Sequence, residues 1–134
     1  MTDPFKSGYA SIIGRPNVGK STLLNRLLMQ KVAVISNRPQ TTRNKITGVL
    51  HLPNAQIILV DTPGIHQSER TLNEMMVRAS VSTFSDVDLI LVMLSADAGF
   101  CDEDEFVLNF MKGIKTKKIL VINKIDLVEK NSLL

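Results

Sequence analysis

The sequence predicts an α/β fold in three layers: a mostly parallel sheet with one antiparallel edge strand, between helices on both faces. Three observations predict it. Apolar runs such as Ile57-Ile58-Leu59-Val60 and Ile119-Leu120-Val121-Ile122 read as strands buried on both faces. Helix-period segments alternate with strands after residue 55. The strands at 46–52 and 56–61 are joined by Leu52-Pro53-Asn54-Ala55, a hairpin-like turn, so the earlier one is the antiparallel edge.

The elements follow in order. Gly8-Tyr9-Ala10-Ser11-Ile12-Ile13 is a short β-leaning run. A helix over about 20–30 is expected from leucines at 23, 24, 27 and 28, a helical stripe. A polar, irregular stretch at 36–44 precedes the hairpin. A second helix over about 70–85 carries Leu72, Met75, Met76 and Ala79 at core-facing spacing. A strand at 88–94 leads to a helix over about 102–112, whose first turn, Asp102-Glu103-Asp104-Glu105, complements the helix dipole with Lys112 and Lys115 near its end. A strand at 117–122 and a helix start complete the chain.

Composition sets bounds. A chain of 134 residues holds one domain with a real core. Hydrophobic content of 44% against 22% charged matches an ordinary globular chain rather than a disordered one. No apolar run reaches membrane-spanning length, and Met1-Thr2-Asp3-Pro4-Phe5-Lys6 has no signal-peptide core. Cys101 is the sole cysteine, so no internal disulfide forms, which fits a reducing cytosol. Residues 1–50 hold 8 Lys/Arg against 1 acid, and residues 51–134 hold 8 against 12. The basic half is expected to face an anionic ligand, with RNA phosphate as a second option.

The most informative stretch is Gly14-Arg15-Pro16-Asn17-Val18-Gly19-Lys20-Ser21, followed by Thr22. It has the P-loop pattern in the strand–loop–helix setting that gives the pattern meaning. Gly14 and Gly19 let backbone N–H groups turn inward toward phosphate oxygens, and the helix start adds positive potential. Lys20 is expected to reach the β- and γ-phosphates, and the Ser21 hydroxyl to ligate Mg²⁺. A plain Gly-Pro turn before a core helix is the alternative.

Two further motifs stand at strand ends, where ligands gather in α/β sheets. Asp61-Thr62-Pro63-Gly64 places a carboxylate for Mg²⁺ and a Gly64 N–H for the γ-phosphate. Asn123-Lys124-Ile125-Asp126 supplies, at Asp126, a carboxylate able to accept from N1–H and the exocyclic amine of guanine. Adenine offers neither donor there, and a site built for them rejects it. Lys124 can lay its stem along the base or ribose, and Asn123 can tie this loop to the P-loop. Taken singly, these motifs could be a Pro-Gly turn and a polar loop ended by a helix cap. His66 is read as an exposed loop histidine and His51 carries no argument.

With these motifs in order, the chain resembles the translation-factor-class P-loop GTPases of the TrmE–Era branch, and within it the Era type. Gly14 to Asn25 is similar to the first motif, Gln40-Thr41-Thr42-Arg43 to switch I, Asp61-Thr62-Pro63-Gly64-Ile65 to the third motif, and Asn123 to Asp126 to the fourth. The resemblance covers Phe5 to about Val128. It implies a GTP-binding, GTP-hydrolysing switch with a role in small ribosomal subunit assembly. The GTP-contacting residues it implies are Gly14 to Thr22, Asp61 to Ile65, Asn123, Lys124 and Asp126; those acting in catalysis are Lys20, Thr42 and Gly64. Mg²⁺ would be held by Ser21, Thr42 (or Thr41) and Asp61. An asparagine at position 17 implies K⁺ beside the phosphates.

The fifth motif, a Ser-Ala pair, and the KH domain that binds ribosomal RNA find no counterpart in these residues. The expectation is therefore a C-terminally incomplete G domain over 1–134, lacking its last βα unit. A cytoplasmic monomer that touches the inner face of the cell membrane is a further implication. Ile65 stands where Ras-like enzymes carry a water-orienting glutamine, so slow intrinsic turnover is expected. The alternatives are a nucleotide-binding module with negligible turnover acting through RNA or protein contacts, and a related GTPase of the Der or MnmE type.

Overall fold

A computed structural model describes residues 3–15, 17–28, 46–60, 84–129 and 131. Its strands are β1 (Lys6–Ile13), β2 (Ile46–Leu52), β3 (Ala55–Val60), β4 (Leu89–Ser95) and β5 (Lys117–Asn123). Helix α1 spans Lys20–Leu28 and helix α2 spans Asp102–Lys112. The strands form one sheet in the order β2-β3-β1-β4-β5. β1 pairs in parallel with β3 and β4, and β4 in parallel with β5. β2 pairs antiparallel with β3 and forms the edge, as the hairpin-like turn at residues 52–55 predicts.

Side chains alternate across the sheet and divide the core in two. On one face, Ala10, Ile12, Leu59 and Met93 pack with Val18 and with Leu23, Leu24 and Leu28 of α1. On the other, Ile13, Val60, Ile90 and Val92 pack with Val107 and Met111 of α2 and with Phe84. Phe84 meets Phe110 edge to face, centroids 6.0 Å apart, adding to the area both bury. Consecutive residues Ile12 and Ile13 thus serve opposite layers, the three-layer arrangement expected.

The differences from expectation are local. β1 begins at Lys6 rather than residue 8, because Lys6 and Ser7 pair with Ala55 and Gln56 while staying exposed. A search for apolar runs cannot see strand residues of that kind. β4 and β5 each extend one residue further, through the paired Ser95 and Asn123. The helix start after β5 is a short 3-10 helix, Ile125–Leu127. Of the helix expected over about 70–85, only 84 and 85 are described, both helical; the stripe from Leu72 to Ala79 lies outside the described residues. So does the polar stretch 36–44.

No helix among the described residues is long and apolar enough to cross a membrane. The parallel strands β1, β3, β4 and β5 all point their C-terminal ends to one rim of the sheet. That rim is where the chain leaves β1 at Gly14 and β5 at Asn123.

Candidate nucleotide-binding site

The loop between β1 and α1 is packed from beneath. Val18 is fully buried against Ile12 and Met93. At Gly14 a β-carbon would stand 2.7 Å from the Met93 carbonyl oxygen, so only glycine lets the loop lie this close to β4. Lys20 donates to the Gly14 carbonyl and bridges the two ends of the loop. The Gly19 carbonyl accepts from Leu23 N–H at 2.9 Å, so the loop runs directly into the first turn of α1.

The loop after β5 is fastened onto this one. Asn123 Nδ2 donates to the Val18 carbonyl at 2.8 Å, and Lys124 Nζ donates to the Asn17 carbonyl at 2.8 Å. Asn17 (φ 67) and Lys124 (φ 59) are the two non-glycine residues with positive φ among those described. Such conformations cost about 1–3 kcal/mol and persist where surrounding contacts enforce them. Here the Lys124 ammonium holds the carbonyl of Asn17. Gly19 has φ 104, and a β-carbon there would fall on the Asn123 amide nitrogen. The glycine is thus required twice, by its dihedral and by its neighbour.

Two adjoining grooves result. One is lined by Asn17, Gly19, Lys20, Ser21, Thr22 and Lys124. The other, of ≈ 830 Å³, is lined by Thr22, Leu23, Asn25, Arg26, Asn123 and Asp126. That volume lies in the range of small-molecule sites, and Thr22 belongs to both walls. Lys20 and Asp126 therefore line neighbouring grooves that share Thr22 as a common wall. A third, smaller cleft brings Lys20 and Ser21 together with Val60, the residue before Asp61.

The expected residues Pro16, Thr41, Thr42, Asp61, Thr62, Pro63, Gly64 and Ile65 lie outside the described residues. Among the described ones, no group of three or more His, Cys, Asp or Glu side chains is placed to hold a metal. Ser21 nonetheless offers an exposed hydroxyl at the head of α1, a hard oxygen donor of the kind Mg²⁺ takes.

Three polar residues escape the sequence reading. Asp97, just past β4, accepts from the Ser95 hydroxyl and lies 3.9 Å from Lys124 Nζ. The Ser95 bond, most of all, holds its carboxyl below the ordinary value of 3.8, and the Lys124 charge adds to that, while desolvation opposes it. Its position at a parallel strand's C-terminal tip was the available signal. Asp104 is the third. The acidic run Asp102 to Glu105 reads as a solvated, dipole-complementing turn, and Asp102, Glu103 and Glu105 are exposed as that requires. Asp104 is not: it is 1% exposed, accepts from Cys101 N–H at 3.0 Å through Oδ2, and takes Arg15 Nε at 3.0 Å on Oδ1. The Arg15 guanidinium, from the second position of the P-loop, thus turns toward α2.

Residues 9–124 match the family described as 50S ribosome-binding GTPase. The chain belongs to that family. This G domain is also 48% identical over 135 aligned residues to GTPase Era of Geobacter metallireducens, covering 100% of the chain and 45% of that protein. Among solved structures it resembles Era in complex with MgGDPNP and nucleotides 1506–1542 of 16S ribosomal RNA. The TM-score is 0.73 at 45% identity, covering 96% of this chain and 45% of that one. An Aquifex aeolicus Era variant bound to GDP and AlF4⁻ gives 0.71 at 43%, covering 97% and 45%. The chain is thus an Era-like G domain that spans about half the length of the relatives it matches, with the three-layer fold and antiparallel edge pair of that class.

Proposed function

We propose that this chain is the GTP-binding part of a hydrolytic switch of the Era type, acting on the small ribosomal subunit. The observation that supports the reading is the fastening of Asn123-Lys124 onto Val18 and Asn17, beside grooves lined by Lys20 and by Asp126 that share Thr22. A base held at Asp126 and a polyphosphate at Lys20 would then belong to one ligand. Likeness to an Era bound to MgGDPNP and 16S RNA supports both the nucleotide and the RNA partner.

In this reading Asp126 accepts two hydrogen bonds from guanine and Lys124 supports the ring or ribose. The loop N–H groups from Gly14 to Thr22, Pro16 having none, and the Lys20 ammonium neutralise phosphate charge, the main requirement of phosphoryl transfer. Ser21 is proposed to hold Mg²⁺ with Thr42 and Asp61; the metal supplies further charge neutralisation when bound. Gly64 is assigned to the γ-phosphate and Asn17 to K⁺. Phosphate release faster in K⁺ than in Na⁺ checks the last assignment, and equal rates remove it.

A second reading is favoured by Ile65, whose side chain cannot orient water. It is a nucleotide-dependent binding module with negligible turnover. One experiment separates the two: phosphate release at saturating GTP, with ATP as control, by the protein its full reading frame encodes. Slow release from GTP and none from ATP supports the switch. Tight GTP binding without release supports the module.

A further inference from the structure

We propose that Arg15 and Asp104 form a positioning pair, through which the N-terminus of α2 sets the conformation of the phosphate loop and hence its affinity for phosphate. The inference rests on the nucleotide-binding reading above and extends it to two side chains outside the grooves. Neither Arg15 nor Asp104 lines the two grooves around Lys20 and Asp126.

Asp104 is 1% exposed, and an isolated carboxylate that deep is not tolerated without partners. It has two. Oδ2 accepts from Cys101 N–H, closing the first turn of α2, and Oδ1 accepts from Arg15 Nε, both at 3.0 Å. One carboxylate thereby joins a helix start to a loop 89 positions away in sequence. The guanidinium makes a second bond, from Nη2 to the Gly99 carbonyl at 3.3 Å, in the turn leading into α2. Arg15 is therefore gripped at two points by the segment that opens this helix.

The loop's other supports come from elsewhere. Gly14 rests on the Met93 carbonyl, and the Asn17 and Val18 carbonyls are held by Lys124 and Asn123. These fix the loop's floor and its far half. The near half is held by Lys20 on the Gly14 carbonyl and by the Arg15 grip, which ties it to the segment opening α2. Without the grip the loop keeps its own closure but loses that lateral tie, and its N–H groups lose part of the shared aim that a phosphate cradle needs. A guanidinium suits this role because its planar fork sets direction as well as charge, which an ammonium cannot do.

The test is calorimetric titration of GDP into the full-reading-frame protein and into Arg15→Lys, Asp104→Asn and the double variant, with thermal melts of each. Substitutions acting through a positioning network shift affinity by about 2- to 30-fold. Each single variant is expected to lose GDP affinity in that range, and the double variant to lose no more than the worse single one. Preference for GTP over ATP is expected to stay unchanged, because Asp126 is untouched. A purely structural pair would lower the melting temperature and leave the affinity of the folded protein alone. GDP affinities within twofold of wild type, or losses that multiply in the double variant, overturn the proposal. If Asp104→Asn does not fold, Arg15→Lys and Arg15→Gln carry the same test, since the Arg15 side chain is 18% exposed. A wild-type protein that binds no GDP removes the nucleotide reading itself, a result distinct from wild-type binding with unaffected variants.

Discussion

Asn123 and Val18, 105 positions apart, are joined by one hydrogen bond from the Asn123 side-chain amide to the Val18 backbone carbonyl, 2.8 Å long and partly buried. The bond ties the loop after β5 to the loop between β1 and α1. Asn123→Ala leaves the Val18 carbonyl without that donor, at a cost of about 1–3 kcal/mol. Part of that loss is expected in nucleotide affinity and part in stability. Calorimetry with GDP and a thermal melt divide the two; unchanged values in both would show that the bond does not couple the loops.

Gly19→Ala tests the same junction from the other side. The new methyl falls on the Asn123 amide, and φ 104 is a poor conformation for alanine. The variant is expected to bind GDP about 5- to 150-fold more weakly, from strain of about 1–3 kcal/mol. Native affinity would mean that Asn123 can move aside freely.

Asp97 gives a pH signature. Its carboxyl is held below 3.8, chiefly by Ser95, so its ionised form stabilises the folded state. Such a contribution is present above the unfolded-state value and is lost as pH falls through the lower folded-state value. The stability difference between wild type and Asp97→Asn is therefore expected to be constant at neutral pH and to shrink below pH 3.8, followed by urea denaturation. A difference that grows on acidification would contradict the assignment.

Much of this architecture is legible in the sequence. Ile57 to Val60 and Ile119 to Ile122 announce strands by continuous apolarity, and the turn at residues 52–55 announces an antiparallel neighbour; local patterns suffice for local facts. The site's motifs were legible for the same reason, since Gly14 to Ser21 and Asn123 to Asp126 are short and contiguous. What stayed hidden depends on approach in space. Asp104 reads like its three acidic neighbours, and only the arrival of Arg15 distinguishes it. Asp97 carries no motif, and its meaning comes from Lys124 folding back across the tip of β4. Lys6 and Ser7 belong to a strand by pairing rather than by hydrophobicity.

The central claim is that Asp126 reads the base of the same nucleotide whose phosphates Lys20 and the loop hold. Titration of GTP and XTP into wild type and Asp126→Asn measures this directly. Asparagine can donate to the 2-carbonyl of xanthine where aspartate accepts from the 2-amino group of guanine. The variant is therefore expected to lose about 100-fold or more in GTP affinity, two charge-assisted hydrogen bonds being at stake, and to bind XTP more tightly than GTP. If Asp126→Asn kept its preference for GTP over XTP, the base would be read elsewhere and the account would fail.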